Sequence, residues 1–436
     1  MKLKEYSIVS LLKKTILPYL VIATCWWIGF NPGFFSVDSF AVLNMARESN
    51  LNSLWTAQWA IFIEIVTLGG SHPELATLFV ALILGFSLAV FVKSISVKNH
   101  GQWVGLLLMV TPVVGAMGIT LWHDIPMVAG YLLIISGLSR SFVSKKYAYS
   151  LILLGLTLSS FRHNGLPTIL VFLLIMLFWK TDRKFVVHSL ILTLLFLFSS
   201  ITLNQYYSGN PSTDKATYFN WMRNDISCYV SNNEKTVFLS SVYGKDSNPS
   251  EWSSKSACKW FSDAKNLSNH SLLLESRVIP AWLKLFKMDP IFIIETHLKR
   301  HAYLNPLPVF GLPNIPFIHT TIELQNQGVA FTYPQITETL RPFPRIWNGL
   351  NFIFGYAGIW LLVTYILAWT KRNFRYLQIA LVGTITSLGL FIFADIPDGR
   401  YMLFTLIAGQ YILLYELFEP CKNLCVKLLG RIRGSL

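Results

Sequence analysis

Apolar runs close to twenty residues long recur along this chain, and that length matches the hydrocarbon core of a bilayer. Ten such runs are legible, at about residues 16–30, 74–93, 103–121, 125–139, 147–161, 166–180, 186–206, 347–370, 376–394 and 401–418. Only 13% of the 436 residues are charged, against 53% hydrophobic, which is too little charge to cover a soluble body of this size. A soluble enzyme, a disordered chain and a nucleic-acid-binding module are excluded. The expected fold class is an all-α polytopic membrane protein of about ten transmembrane helices.

The net charge of +14 has a topological explanation. With the N-terminus in the cytoplasm, 19 of the 36 basic residues fall on that side against four acids, which leaves 17 basic and 18 acidic residues outside. The excess is a positive-inside signature whose natural partner is anionic lipid, and no nucleic acid is needed to explain it. Both termini are expected in the cytoplasm. The basic start MKLKEYSIVSLLKK is followed by an apolar run with no small-residue cleavage site, and it reads as a retained anchor.

Three regions follow. Residues 1–206 form an N-terminal transmembrane module, 207–346 an extracytoplasmic insert, and 347–436 the last spans with a basic cytoplasmic tail. The insert begins polar and turns apolar with helical periodicity around VIPAWLKLFKMDPIFIIETHLKR, which predicts one or two amphipathic helices at the membrane surface. Cys228 and Cys258 both lie in it and can pair in an oxidising compartment. His297 and His301 stand at i and i+4 beside Glu295, a spacing that reads as an interfacial basic helix before a metal pair.

Nearly all the short polar clusters between the apolar runs fall on one side, at the outer ends of the spans. They are NPGFFSVDSF with Asp38, GSHPE with His72 and Glu74, LWHDIP with His123 and Asp124, FRHNGLP with Arg162, His163 and Asn164, and ADIPDGRYM with Asp395, Asp398, Arg400 and Tyr401. Ionisable residues at membrane depth are costly and mark function by default, so their convergence predicts a polar cavity opening outward. Each also has an ordinary role. Asp38 with Ser36 and Ser39 can cap a helix, His72 can be a turn residue, and WHDIP can be a hairpin turn. Arg162 can snorkel to headgroups, and Asp395, Asp398 and Arg400 can form a local ion pair. Shared sidedness weighs against an all-structural explanation. Sequence motifs for a P-loop, a nucleophile elbow and a zinc protease are absent.

In that order, Asp38, His72-Pro73, Trp122-His123-Asp124-Ile125-Pro126, Arg162-His163-Asn164-Gly165 and Arg400-Tyr401 resemble membrane glycosyltransferases of the GT-C fold. In length and layout the chain is similar to bacterial serotype-converting O-antigen glucosyltransferases of the inner membrane. The resemblance spans about the first 180 and last 90 residues and leaves the insert unmatched. It implies a polyprenyl-phosphate-linked sugar donor, used on the outer face of the cytoplasmic membrane to modify a lipid-linked or surface glycan such as O-antigen.

Asp38 would then be the catalytic residue, as general base or metal holder. His72, His123, Asp124, Arg162, Asn164, Asp398, Arg400 and Tyr401 would bind substrate or donor phosphate. Relatives often carry a second acidic residue beside the first, whereas Val37 and Ser39 flank Asp38 here, so use of a divalent cation stays open. A lipid-linked glycan polymerase or ligase, and a transporter or flippase, are the competing expectations.

Overall fold

The computed structural model describes residues 12–48, 55–96, 98, 100–139, 145–178, 183–207, 220–233, 275–300, 330–342, 356–393 and 402–434. Among these residues the chain is helical, with a single isolated backbone bridge between Phe34 and Thr120 and no strand. A short π-helical turn, Leu12–Ile16, leads into α1 (Leu17–Gly29), α2 (Val37–Glu48), α3 (Ala57–Val66), α4 (Pro73–Ile95), α5 (His100–Val110), α6 (Pro112–Gly118) and α7 (Asp124–Ser139). The chain continues through α8 (Lys145–Ser159), α9 (Gly165–Leu177), α10 (Arg183–Tyr207), α11 (Asn220–Asn233), α12 (Glu275–Met288) and α13 (Pro290–Arg300). The last helices are α14 (Pro334–Leu340), α15 (Ala357–Thr370), α16 (Phe374–Phe393) and α17 (Leu403–Gly434).

Every expected span falls on one of these helices or on a helix pair, but ten full crossings are not reached by length. Among the described residues three helices, Pro73–Ile95, Arg183–Tyr207 and Phe374–Ile392, are long and apolar enough to cross a membrane. A fourth crossing requires counting α5 and α6 as one span. The others are shorter apolar helices, compatible with membrane association.

The run expected at 103–121 is broken. Pro112 lacks the N–H that an unbroken helix would use, Thr111 leaves the helical conformation, and α6 turns away from α5 by 63°. Residues 347–355, expected to begin the eighth span, lie outside the described residues.

The core of the bundle is α4 packed between α1 and α7, with α8 against α7. Lipid tails are as apolar as leucine, so helices in such a setting associate through close packing of small residues. Gly130 of α7 and Gly155 of α8 do this. A Cβ on Gly130 would lie 2.5 Å from the Gly155 carbonyl oxygen, and one on Gly155 would lie 2.7 Å from that of Gly130.

The described part of the insert makes a separate small core from Ile226, Tyr229, Val230, Val278, Ala281, Leu285 and Ile293. Two amphipathic helices, α12 and α13, meet at Asp289-Pro290, as the periodicity predicts. Their outward faces leave Leu283, Phe286, Ile291, Ile294 and Leu298 exposed, a face suited to a membrane surface. The end of the insert docks elsewhere. Thr337 on α14 donates from Oγ1 to the Gly29 carbonyl at 2.9 Å, and the Thr332 N–H donates to the Asn31 carbonyl at 2.9 Å. This stretch therefore caps the C-terminal end of α1.

Candidate functional site

Four helix junctions meet at one end of the bundle. The loop after α1 turns at Gly33, whose φ of +110° puts it in the region that favours glycine, and a Cβ there would lie 2.8 Å from the Ile119 carbonyl. Removing that side chain lets Phe34 run beside the residues entering α7. The Phe34 N–H donates to Ile119 O at 3.1 Å, and the Leu121 N–H donates back to Phe34 O at 3.0 Å.

The start of α2 is a reciprocal cap. The Ser39 N–H donates to Ser36 Oγ at 3.3 Å, and the Ser36 N–H donates to Ser39 Oγ at 3.0 Å. Both hydroxyls also reach the neighbouring turn, where Trp122 Nε1 donates to Ser36 Oγ at 2.7 Å and Ser39 Oγ donates to Leu121 O at 2.8 Å. The first turn of α2 is thereby bonded to the Trp-His-Asp turn. Of the three residues expected to cap this helix, Ser36 and Ser39 exchange these bonds. Asp38 itself sits half-buried in the first turn of α2, where a negative charge is favoured by the helix dipole.

Asp124 begins α7 and is completely buried, and Arg162 from the α8–α9 turn pairs with it, its side chain 13% exposed. A buried carboxylate without a partner would be severely destabilising, so each residue of this pair depends on the other. Arg162 therefore faces into the protein at this end, not outward to headgroups. The turn that carries it is tight: the Gly165 N–H donates to the Arg162 carbonyl at 3.0 Å, and Gly165 lies so close to Ser159 that no side chain would fit. Tyr131 on α7 donates from its hydroxyl to the Gly165 carbonyl at 3.4 Å, tying the α8–α9 turn to α7 a second time. Asn164 precedes α9 without using its side chain as a cap, and its Oδ1 is buried with no donor among the described residues.

His123 lies between two indoles, 5.0 Å from the Trp55 ring and 6.4 Å from the Trp59 ring, centroid to centroid. Trp59 continues to Phe161 at 5.5 Å, next to Arg162 in the chain. These tryptophans were not expected at the site. Their signal was the aromatic spacing of Trp55, Trp59 and Phe62, the last two on one face of α3 and Trp55 just before its N-cap, in a stretch with no polar motif.

His72 is at the same end but does not join the pair. It precedes Pro73 at the start of α4, and its half-exposed ring bonds the Glu74 carboxylate at 2.9 Å. The first turn of α4 is anchored nearby, through Thr77 Oγ1 donating to Pro32 O at 2.5 Å and Trp27 Nε1 donating to Glu74 O at 3.1 Å. Asp395, Asp398, Arg400 and Tyr401 lie outside the described residues. Among the described residues no three His, Cys, Asp or Glu side chains are grouped as a metal ion would require.

One expectation in the insert is corrected. His297 is not an interfacial residue: it is 4% exposed, and its Nε2 lies 2.9 Å from Oδ2 of the fully buried Asp225. Its Nδ1 faces the Phe391 carbonyl, which can only accept, so Nδ1 carries a proton. Trp282 Nε1 donates to the same Asp225 oxygen at 2.8 Å. The amphipathic pattern was read correctly but its polar stripe was assigned to solvent, whereas α11 covers it. Glu295 is exposed, and His301 lies outside the described residues. Cys228 is disulfide-bonded, while its expected partner Cys258 lies outside the described residues.

A cavity of about 490 Å³ lies at the opposite end of α15 and α16, lined by Tyr365, Trp369, Arg372 and Phe374 among others. It shares no residue with the polar end, and the buried ion pair, not cavity size, marks the candidate site. No family model, curated protein or solved structure matches this chain.

Proposed function

We propose that this chain is a membrane glycosyltransferase that moves a sugar, a hexose such as glucose, from a polyprenyl-phosphate carrier to a surface glycan on the outer face of the bacterial cytoplasmic membrane. The observation that carries the reading is the bonding of the Asp38-bearing turn to the turn that bears His123 and Asp124, with Arg162 paired to Asp124. Asp38, His123 with Asp124, and Arg162, from three sequence-distant segments, lie at one end of an apolar bundle, which supports the reading.

The chemistry asks for that combination. An acceptor hydroxyl attacks the anomeric carbon while its proton passes to the Asp38 carboxylate. The bond from the anomeric carbon to the phosphate oxygen breaks, and the polyprenyl phosphate leaves with the electron pair. Arg162, oriented by Asp124, and His123 donate hydrogen bonds to the oxygens on which negative charge develops. A single displacement of this kind inverts the anomeric centre. The buried Oδ1 of Asn164 offers an acceptor for a sugar hydroxyl. Arg400, Tyr401 and Asp398 are assigned to phosphate and sugar binding on the sequence resemblance alone.

Mass spectrometry of surface glycan from host cells with and without the gene tests this. A fixed sugar mass added per repeat is expected. An altered chain-length distribution without added mass would replace the reading with a polymerase, and no covalent change in a competent host would move it to transport.

A further inference from the structure

Trp55 stands at the threshold of α3 with its ring against His123, and its Nε1 is buried with no acceptor among the described residues. A buried donor left without an acceptor is destabilising, and in native structures such a group is commonly satisfied by water, an ion or a ligand. The acceptor that suits it can be narrowed. Arg162, paired with Asp124, and His123 are already assigned to the phosphate oxygens, so the acceptor left for the indole is an uncharged oxygen. An indole offers a flat apolar surface with one N–H at its rim, the combination that complements a sugar ring, which has an apolar face and a rim of hydroxyl oxygens.

A row of rings continues from His123 through Trp59. Trp59 and Phe161 are 5.5 Å apart, Phe161 and Phe62 5.0 Å, and Phe62 and Phe79 5.2 Å. Phe79 is 43% exposed on α4, one of the helices long enough to cross a membrane. Trp55 and this row meet at His123, and the row reaches the bundle surface at Phe79, so a lipid tail lying along the row would bring its sugar to Trp55.

We infer that Trp55 binds the sugar of the donor, donating its indole N–H to a hydroxyl oxygen beside His123. This rests on the glycosyltransferase reading and adds the residue that recognises the sugar as distinct from the phosphate. Trp55 is a binding residue and takes no proton from the acceptor.

The test measures binding separately from turnover. The full chain in lipid nanodiscs, free of sugar-headed detergent, is heated with polyprenyl phosphate, and with polyprenyl-phosphate-linked glucose, galactose, mannose or N-acetylglucosamine. The wild type is expected to gain several degrees with one sugar-bearing lipid over the sugarless one. Trp55→Phe keeps the ring and loses the N–H. It is expected to keep the increment from polyprenyl phosphate and to bind the sugar-bearing lipid about five- to tenfold more weakly, the effect of one lost hydrogen bond. Trp55→Tyr, which restores a donor, should recover part of that loss.

An undiminished sugar increment in Trp55→Phe would overturn the assignment while leaving the transferase reading in place. A wild type that responds equally to both lipids would also overturn it. A wild type stabilised by neither lipid would remove the donor class itself, and the assignment with it.

Discussion

The two ends of the helical bundle treat charge in opposite ways. At one end Asp124 and Arg162 are buried against each other, and the turns around them are joined by side-chain bonds from Ser36, Ser39, Thr77 and Trp122. At the other end the charges stay near solvent. Lys371 pairs with Glu416 at 3.2 Å with half its side chain exposed, Tyr376 donates to the same carboxylate at 2.7 Å, and Arg375 donates to the Ser94 carbonyl at 2.9 Å. Exposed cations of this kind contribute little to stability. A buried pair costs more desolvation than it commonly returns, so its retention points to positioning, not to stability.

The comparison can be broken by removing one charge at each end. Arg162→Gln would leave Asp124 buried without its cation, and a loss of roughly 3–5 kcal/mol is expected in the unfolding of detergent-solubilised protein. The double variant Asp124→Asn with Arg162→Gln should recover much of that loss, because no uncompensated charge remains. Additive losses in the double variant would show that the two residues do not act as a pair. Lys371→Gln at the other end should cost at most about 1 kcal/mol in the same measurement, since the lysine side chain is half exposed. A loss there as large as at Arg162 would erase the distinction between the ends.

Much of this arrangement was legible from residue order and some was not. The polar end was visible because Asp38, His123, Asp124 and Arg162 interrupt apolar runs, where any charge is conspicuous. That Asp124 and Arg162 pair was not visible: 38 positions separate them, and no periodicity links residues across α7 and α8. The cap was legible as a set, since Ser36, Asp38 and Ser39 are all good capping residues, and only the structure shows that the two serines exchange bonds. The break between α5 and α6 had its signal in Thr111-Pro112, inside a run whose hydropathy stays high throughout.

His297 shows the limit of a single-helix pattern. An amphipathic helix shows which side chains share a stripe, but whether water or another helix covers the polar stripe depends on where α11 packs. Trp55 and Trp59 escaped notice because aromatic residues are expected in any membrane-associated chain, and only their placement around His123 distinguishes them.

The most direct test of the difference between the ends is the sugar added per glycan repeat by Asp38→Asn and by Glu416→Gln, each at membrane levels matched to the wild type. Asp38→Asn is nearly isosteric and removes the base, so a loss of about 10²–10⁴-fold in rate, and with it the added mass, is expected. Glu416→Gln, at the basic end, should leave the added mass in place. Wild-type modification by Asp38→Asn would contradict the assignment of chemistry to the polar end.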